Sequence, residues 1–491
     1  MHGGTGGVLR RRSAVVLLAV AQVLVVFDTT AFAVALPWIQ YRARLSIEGL
    51  TWLLTTYSVC FAALPVLAVA LGEAFGQRRV LLGGLVLSSL AGLASAVSQD
   101  ADVLLTSRAV QGVAAAAITA GAVALIESTH PEGRGRDRAL SVHFAVVAAA
   151  GPAVLLPSTV LLDTVESGAA IFWVQAVVGV LLVLLVPVTL TESAPSPEAR
   201  SRVGHAAAAV VPLGVLAWFA GWLGDHSVSP TTVIAVAVAG ALTPSSLSWL
   251  GRRGAEPSLF TRLYRERAAF GAYTVVALLA ACLAGAALVL TMALQLLGGL
   301  SPESVGWALL PAVAGLVLGC STLPALAARA GLAATVAVAC GAAAAGFVLL
   351  SLRDGAYHFA DVLPPLLLIA YGCGVLALPV SFARTGSGAL PRGLNSSRQL
   401  GAGLGASLFV GVMTVAEHGP SASLSGRKAY EAVFSRAFRD CFELGAALCL
   451  AAAAVALLTL PRRSPRATAP DPGTSDGAPA GTAGSPGSSG P

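Results

Sequence analysis

Apolar runs of about twenty residues recur along this chain from Ser13 to Leu460, separated by short loops rich in Gly, Pro and Arg. A helix of that length crosses the hydrocarbon layer of a bilayer. Lipid offers backbone groups no water, so only helices or closed barrels span it, and runs this continuous lack the alternation of barrel strands. A composition of 56% hydrophobic and 11% charged residues, with a mean hydropathy of +0.80, excludes an ordinary soluble globule. The expectation is an all-α integral membrane protein.

Loop punctuation divides the runs into helices near 13–39, 51–71, 80–97, 103–126, 140–162 and 170–190, an N-terminal six-helix bundle within 13–193. Two additional helices, near 206–224 and 231–250, precede a cytoplasmic linker, 251–267, that carries five arginines. Six more follow near 268–291, 305–327, 332–352, 359–382, 391–416 and 437–460, a C-terminal bundle within 268–460 and a total of 14 transmembrane helices. An even number puts both termini on one side. With cytoplasmic termini, the inner segments hold 22 of the 30 Lys and Arg and the outer loops seven, Arg108 lying within a span. That is the positive-inside bias, although the outer loop 417–436 runs against it. Residues 1–12 form a cytoplasmic tail, and 461–491, rich in Pro, Gly, Ser and Ala, read as a disordered cytoplasmic one. Arg10, Arg11 and Arg12 followed by Ala31-Phe32-Ala33 imitate a signal peptide, but the apolar stretch is too long and Asp28 interrupts it.

Asp28 needs a reason. An ionised side chain near the bilayer midplane costs roughly 2.5–3.5 kcal/mol on insertion scales, so such residues are usually functional. In a helix, Gln22 and Thr29 share a face at i, i+7, and Asp28 lies about 100° round from Thr29. The three could form one polar sector turned away from lipid. The alternative is a protonated carboxyl that hydrogen-bonds a neighbouring helix. Further along, Arg108 and Gln111 share a face at i, i+3, continued by Ala115 and Thr119. A buried guanidinium demands a partner, which could be Asp28 or, in a purely structural role, backbone carbonyls.

The remaining residues exclude much chemistry. The net charge of +6 is spread over loops with no basic-aromatic alternation, so no nucleic acid partner is expected. The seven cysteines lack metal spacing and read as buried hydrophobes. No phosphate loop or metal-spaced His pair occurs, and His143 reads as a satisfied structural histidine. No enzyme, cofactor, metal or ATP site is expected; energy must come from a gradient.

Several stretches carry a resemblance. FDTTAFAVALP (27–37) resembles the helix-1 signature LDxTxxNVALP, with Ala33 in place of its Asn. LGEAFGQRRV (71–80) resembles the loop GxLaDrxGRR: Gly76, Arg78 and Arg79 are in place, Glu73 stands for the Asp, and Val69 and Ala74 depart. LLTSRAVQGVAAA (104–116) resembles RxxQGxgaA, and SPESVGWALLP (301–311) and LNSSRQLGAGLG (394–405) resemble segments flanking later helices. PSLFTRLYRERAAF (257–270) resembles an amphipathic lead-in to the ninth helix. Together with the arrangement of six helices, two and six, these are similar to the fourteen-span drug:proton antiporters of the major facilitator superfamily, the EmrB/QacA type. Two departures stand out. The fifth-helix signature GxxxGPxxGG survives only as Gly151 and Pro152, with Val147, Leu155 and Leu156 at its other positions, and the loop LPALAARAGL (323–332) keeps Arg329 but has Ala328 for an acid.

The resemblance implies two six-helix bundles that rock about a central cavity, the two extra helices lying at the periphery. It implies proton-coupled export of a small lipophilic drug or secondary metabolite by a monomer whose partners are that substrate, protons and membrane lipids. Asp28 would couple to protons or face substrate, with Arg108, Gln111, Gln22 and Thr29 around it. Glu73, Gly76, Arg78 and Arg79 would form a gate loop, and Asn395, Arg398 and Gln399, at i, i+3 and i+4, a candidate inner gate. Gly401 and Gly405 would let helices approach closely. Two rivals stand beside export: a nutrient or siderophore importer, and a sensor of the same fold that binds without turnover.

Overall fold

The computed structural model describes residues 4–45, 47–98, 100–130, 134–165, 167–193, 195–196, 267–353, 359–377 and 427–460, with scattered positions between 200 and 211 and between 394 and 413. Among these residues the fold is wholly helical. The first half comprises α1 (Gly4–Ala43), α2 (Ile47–Ala63), α3 (Pro65–Phe75), α4 (Gln77–Val97), α5 (Ala101–Thr129), α6 (Arg134–Val165) and α7 (Ala169–Thr189). The second comprises α8 (Arg267–Leu296), α9 (Pro302–Leu309), α10 (Pro311–Ala330), α11 (Leu332–Ser351), α12 (Phe359–Cys373) with a 3-10 turn (Gly374–Ala377), and α13 (Arg427–Thr459). The segments expected at 206–224, 231–250 and 391–416 fall largely or wholly outside the described residues, as do the linker and the C-terminal tail.

Ten helical stretches are long and apolar enough to cross a membrane among the described residues. Two expected spans are broken by proline. The 51–71 segment divides into α2 and α3 at Pro65, and the 305–327 segment divides into α9 and α10 at Pro311. Proline has no N–H for the helical ladder and its ring crowds the preceding turn, so each becomes the first residue of a new helix.

The two halves repeat one packing scheme. α4 packs on α5 and α7 as α11 packs on α12 and α13; α2 packs on α5 as α10 packs on α12; α1 meets α7 as α8 meets α13. Each half has its own core, one around Leu18, Leu81, Leu85, Ile118 and Phe144, the other around Leu279, Val289, Phe347, Phe409 and Phe442. Gly401 and Gly405 lie against Ala277 and Ala281 of α8, where added side chains would collide with that helix. Large apolar side chains such as Val16, Leu90, Leu184, Val188 and Leu458 point outward, as a lipid-facing surface requires.

Among the described residues the halves meet chiefly through α6, which touches α9, α10 and the 3-10 turn. Gly306 of α9 packs on Leu156 and Thr159 of α6; a Cβ there would come within 2.5 Å of Thr159 Oγ1 and 3.1 Å of Leu156 Cα. The glycine pair missing from α6 is thus answered by a glycine on the facing helix. Close approach needs one small surface, and either helix can supply it.

Candidate functional site

α5 begins at Asp100, whose carboxylate accepts the Asp102 N–H at 2.8 Å, and its helical period then aligns Arg108 and Thr119 towards α1. Arg108 is only 2% exposed and among the largest fully buried side chains described. Its Nη1 donates to Asp28 Oδ1 at 3.0 Å and to Gln111 Oε1 at 2.9 Å. Gln111 Nε2 donates to Gln175 Oε1 at 3.0 Å, and Gln175 Nε2 to Ser88 Oγ at 3.1 Å. One line of polar contacts therefore runs from α1 through α5 and α7 to α4. A turn and a half from Asp28, Gln22 Nε2 donates to Thr119 Oγ1 at 3.0 Å. Thr29 takes no part: its hydroxyl donates to Val26 O, 2.9 Å away on its own helix. The expected single sector of Gln22, Asp28 and Thr29 is therefore two contacts to α5 and one self-bonded threonine.

Aromatic rings close the other sides. The Arg108 guanidinium carbon lies 3.9 Å from the Phe32 ring centroid and 4.2 Å from that of Tyr57, within range of cation–π attraction. Gly112 makes the second contact attainable, since a Cβ there would stand 2.5 Å from Tyr57 O and 2.8 Å from Cys60 Cβ. The absent side chain lets α2 press against α5 and carries Tyr57 over the cation. Arg108 Nε, Tyr57 Oη and Gln22 Oε1 are buried without hydrogen-bond partners. Such atoms are able to receive water or a ligand group. Phe32, Tyr57, Gln175 and Ser88 escape the sequence reading; Gln175, a lone amide in the apolar run of α7, was the detectable signal.

The gate loop is organised by a residue that sequence reasoning also misses. Glu192, just beyond α7, lies over the α3–α4 turn, and its Oε1 accepts the Arg78 N–H at 2.9 Å. Its Oε2 is 3.7 Å from Arg78 Nε and equally 3.7 Å from Arg79 Nε. Ser193 Oγ accepts the Gln77 N–H at 2.9 Å, and Glu73 O accepts the Ser196 N–H at 2.9 Å. A carboxylate thus sits on the N-terminus of α4, where the helix dipole and free N–H groups favour it. Gly76 has φ +110°, and a Cβ on it would reach 2.6 Å from Glu192 Oε1. Gly76→Val is accordingly expected to lower stability by about 1–3 kcal/mol through backbone strain and displacement of Glu192. A thermal unfolding midpoint in detergent equal to that of the parent protein would contradict this.

Of the other expected residues, Gly151 lies on an unbroken α6 with open space beside it, and Pro152 belongs to the same helix. Arg398 is described, and its guanidinium carbon lies 5.8 Å from the Phe144 ring centroid. Asn395 and Gln399 lie outside the described residues.

The sequence profile of the Major Facilitator Superfamily matches residues 18–413, a range that includes Asp28, Arg108 and Arg398. The chain is 31% identical over 448 residues to a puromycin resistance protein of Streptomyces alboniger, covering 85% of this chain and 86% of that one. It is 30% identical over 444 residues to a cephamycin export protein of Amycolatopsis lactamdurans, covering 86% and 89%. Among solved structures, a bacterial homologue of the human lysosomal transporter Spinster, inward-facing and unoccupied, matches with a TM-score of 0.60 at 14% identity over 92% of this chain and 97% of that one. This last likeness concerns the fold alone.

Proposed function

The chain belongs to the Major Facilitator Superfamily, and from that premise we propose that it is a proton-coupled exporter of small lipophilic compounds across the cytoplasmic membrane. The observation that carries the coupling is the Asp28–Arg108 pair, 3.0 Å apart and buried between α1 and α5. The relative named for cephamycin export supports the outward direction, and that name together with the one for puromycin resistance supports an antibiotic-like cargo.

In this reading the protein has 14 spans of the EmrB/QacA arrangement, with bundles at 13–193 and 268–460, two peripheral helices within 206–250 and both termini in the cytoplasm. The Gly306 contact on α6 then closes the outer side. Protonation of Asp28 removes the charge that holds Arg108, and the guanidinium is left to Gln111 and the two rings. α1 and α5 are thereby free to shift, and with them the bundle that carries Gly76, Arg78 and Glu192 at its inner end. Loss of the proton on the cytoplasmic side restores the ion pair and resets the bundle. One proton moving inward across 100 mV supplies roughly 2.3 kcal/mol, before any pH difference.

The test uses purified protein in liposomes with an internal pH dye and a panel that includes puromycin and a cephamycin. Addition of a transported compound is expected to evoke proton movement opposite to the compound. A folded preparation that binds a panel member yet moves no protons would sink the antiport reading.

A further inference from the structure

A small cleft opens in the first half at the end opposite the gate loop, where α4 finishes and α5 begins. Trp38 and Arg42 of α1, Ser95 of α4, Leu104 of α5 and Phe172 of α7 line about 220 Å³ of open space. A water molecule takes about 30 Å³, so the cleft admits water, but it is too small for a drug-sized cargo. Ser95 is only 3% exposed, and its hydroxyl is buried in the wall without a hydrogen-bond partner. An unpaired buried hydroxyl is costly, and a bound water offsets that cost.

The cleft leads inward along one face of α4. Ser88, Gly92 and Ser95 stand there at i, i+4 and i+7, and α7 packs on α4. A Cβ on Gly92 would come within 3.3 Å of Phe172 O and 3.4 Å of Gln175 Oε1, so the glycine leaves the strip between Ser95 and Ser88 clear beside both oxygens. Gln175 in turn hydrogen-bonds Ser88 and Gln111, and Gln111 accepts from Arg108 beside Asp28. The cleft wall leads to the same place: the Phe172 ring centroid is 6.2 Å from that of Phe32, the ring that covers the Arg108 guanidinium. Polar groups thus reach from the cleft to the buried ion pair through α4, α7 and α5, without using α6, where the halves meet. Charges of both signs stand at the mouth. Arg42 lies over the Trp38 ring at 5.5 Å, while Asp100 and Asp102 open α5, the Asp100 N–H donating to Ser98 Oγ in the cleft at 3.1 Å.

We propose that this cleft is the outer entrance for the proton taken up by Asp28, a water route through one half that is separate from the path of the cargo; this rests on the export reading above. Water held at Ser95 and beside Gly92 passes the proton from oxygen to oxygen until it rests on the Asp28 carboxylate. Ser95, Gln175 and Gln111 act as positioning residues that order this water by hydrogen bonding and keep their own protons. A separate route lets the proton arrive while the outer side of the cargo path is shut.

The test compares the full chain with Ser95→Leu, whose side chain fills the cleft. In liposomes with an internal pH dye, proton movement evoked by a compound active with the parent protein is expected to fall about tenfold or more in Ser95→Leu, with equilibrium binding of that compound within about twofold of the parent. Radiolytic hydroxyl labelling reads water in the cleft without transport. Phe172, 2% exposed, is expected to be labelled in the parent protein because radicals form from water beside it, and to lose most of that label in Ser95→Leu. If the variant fails to fold, labelling of the parent protein still decides. Proton movement at the parent rate in Ser95→Leu, equal losses of movement and binding, or a Phe172 protected from label in the parent would overturn the route and leave export standing. A parent protein that moves no protons with any compound would overturn the export reading, and the route with it.

Discussion

Asp28→Asn is expected to abolish drug-evoked proton movement, to below one-tenth of the parent rate, in protein that remains folded and still binds the drug. Asparagine keeps an oxygen at the position that accepts Arg108 Nη1–H at 3.0 Å, and Gln111, Phe32 and Tyr57 still surround the guanidinium. What disappears is the carboxylate that can take a proton and give it up. The acid and the amide have nearly the same shape, so a loss of coupling without loss of binding reports on the proton rather than on packing. The measurement is dye-reported proton flux in liposomes beside direct drug binding. Flux that persists at the parent rate would remove Asp28 from the proton path and leave the fold untouched.

Arg108→Met is expected to have the larger effect on stability, a loss of about 3–5 kcal/mol, because it leaves a buried carboxylate without its cation. The same change empties the space between Phe32 and Tyr57 of a charge that both rings attract, and it removes one donor from Gln111. Adding Asp28→Asn to Arg108→Met is expected to recover a substantial part of the loss, since the double variant buries no charge at that point. Thermal unfolding of the four proteins in one detergent gives the coupling between the two residues directly. Strictly additive losses would show that the two side chains do not stabilise one another, whatever their distance.

Parts of this site were legible in the sequence for a physical reason. Charges are so costly in an apolar helix that Asp28 and Arg108 stood out at once, and helical period put Gln111 on the arginine's face. Other parts were invisible. Phe32 and Tyr57 are ordinary residues of apolar helices, and nothing local marks them as ring partners of a cation three helices share. Glu192 follows α7 in a polar segment, yet its carboxylate serves Arg78 and Arg79, more than a hundred residues earlier. Thr29 shows the opposite error: helical period placed it near Gln22, but its hydroxyl had a closer acceptor in its own backbone.

By itself the sequence determined that the chain is a bundle of membrane-crossing helices, because burial of apolar surface and the pairing of every backbone group in lipid admit no other form at this composition. It determined also which charged residues had to find partners inside. Only the tertiary structure decided who those partners are, because they come from helices far apart in sequence: Asp28 with Arg108, Gln111 with Gln175, Gly306 against Leu156.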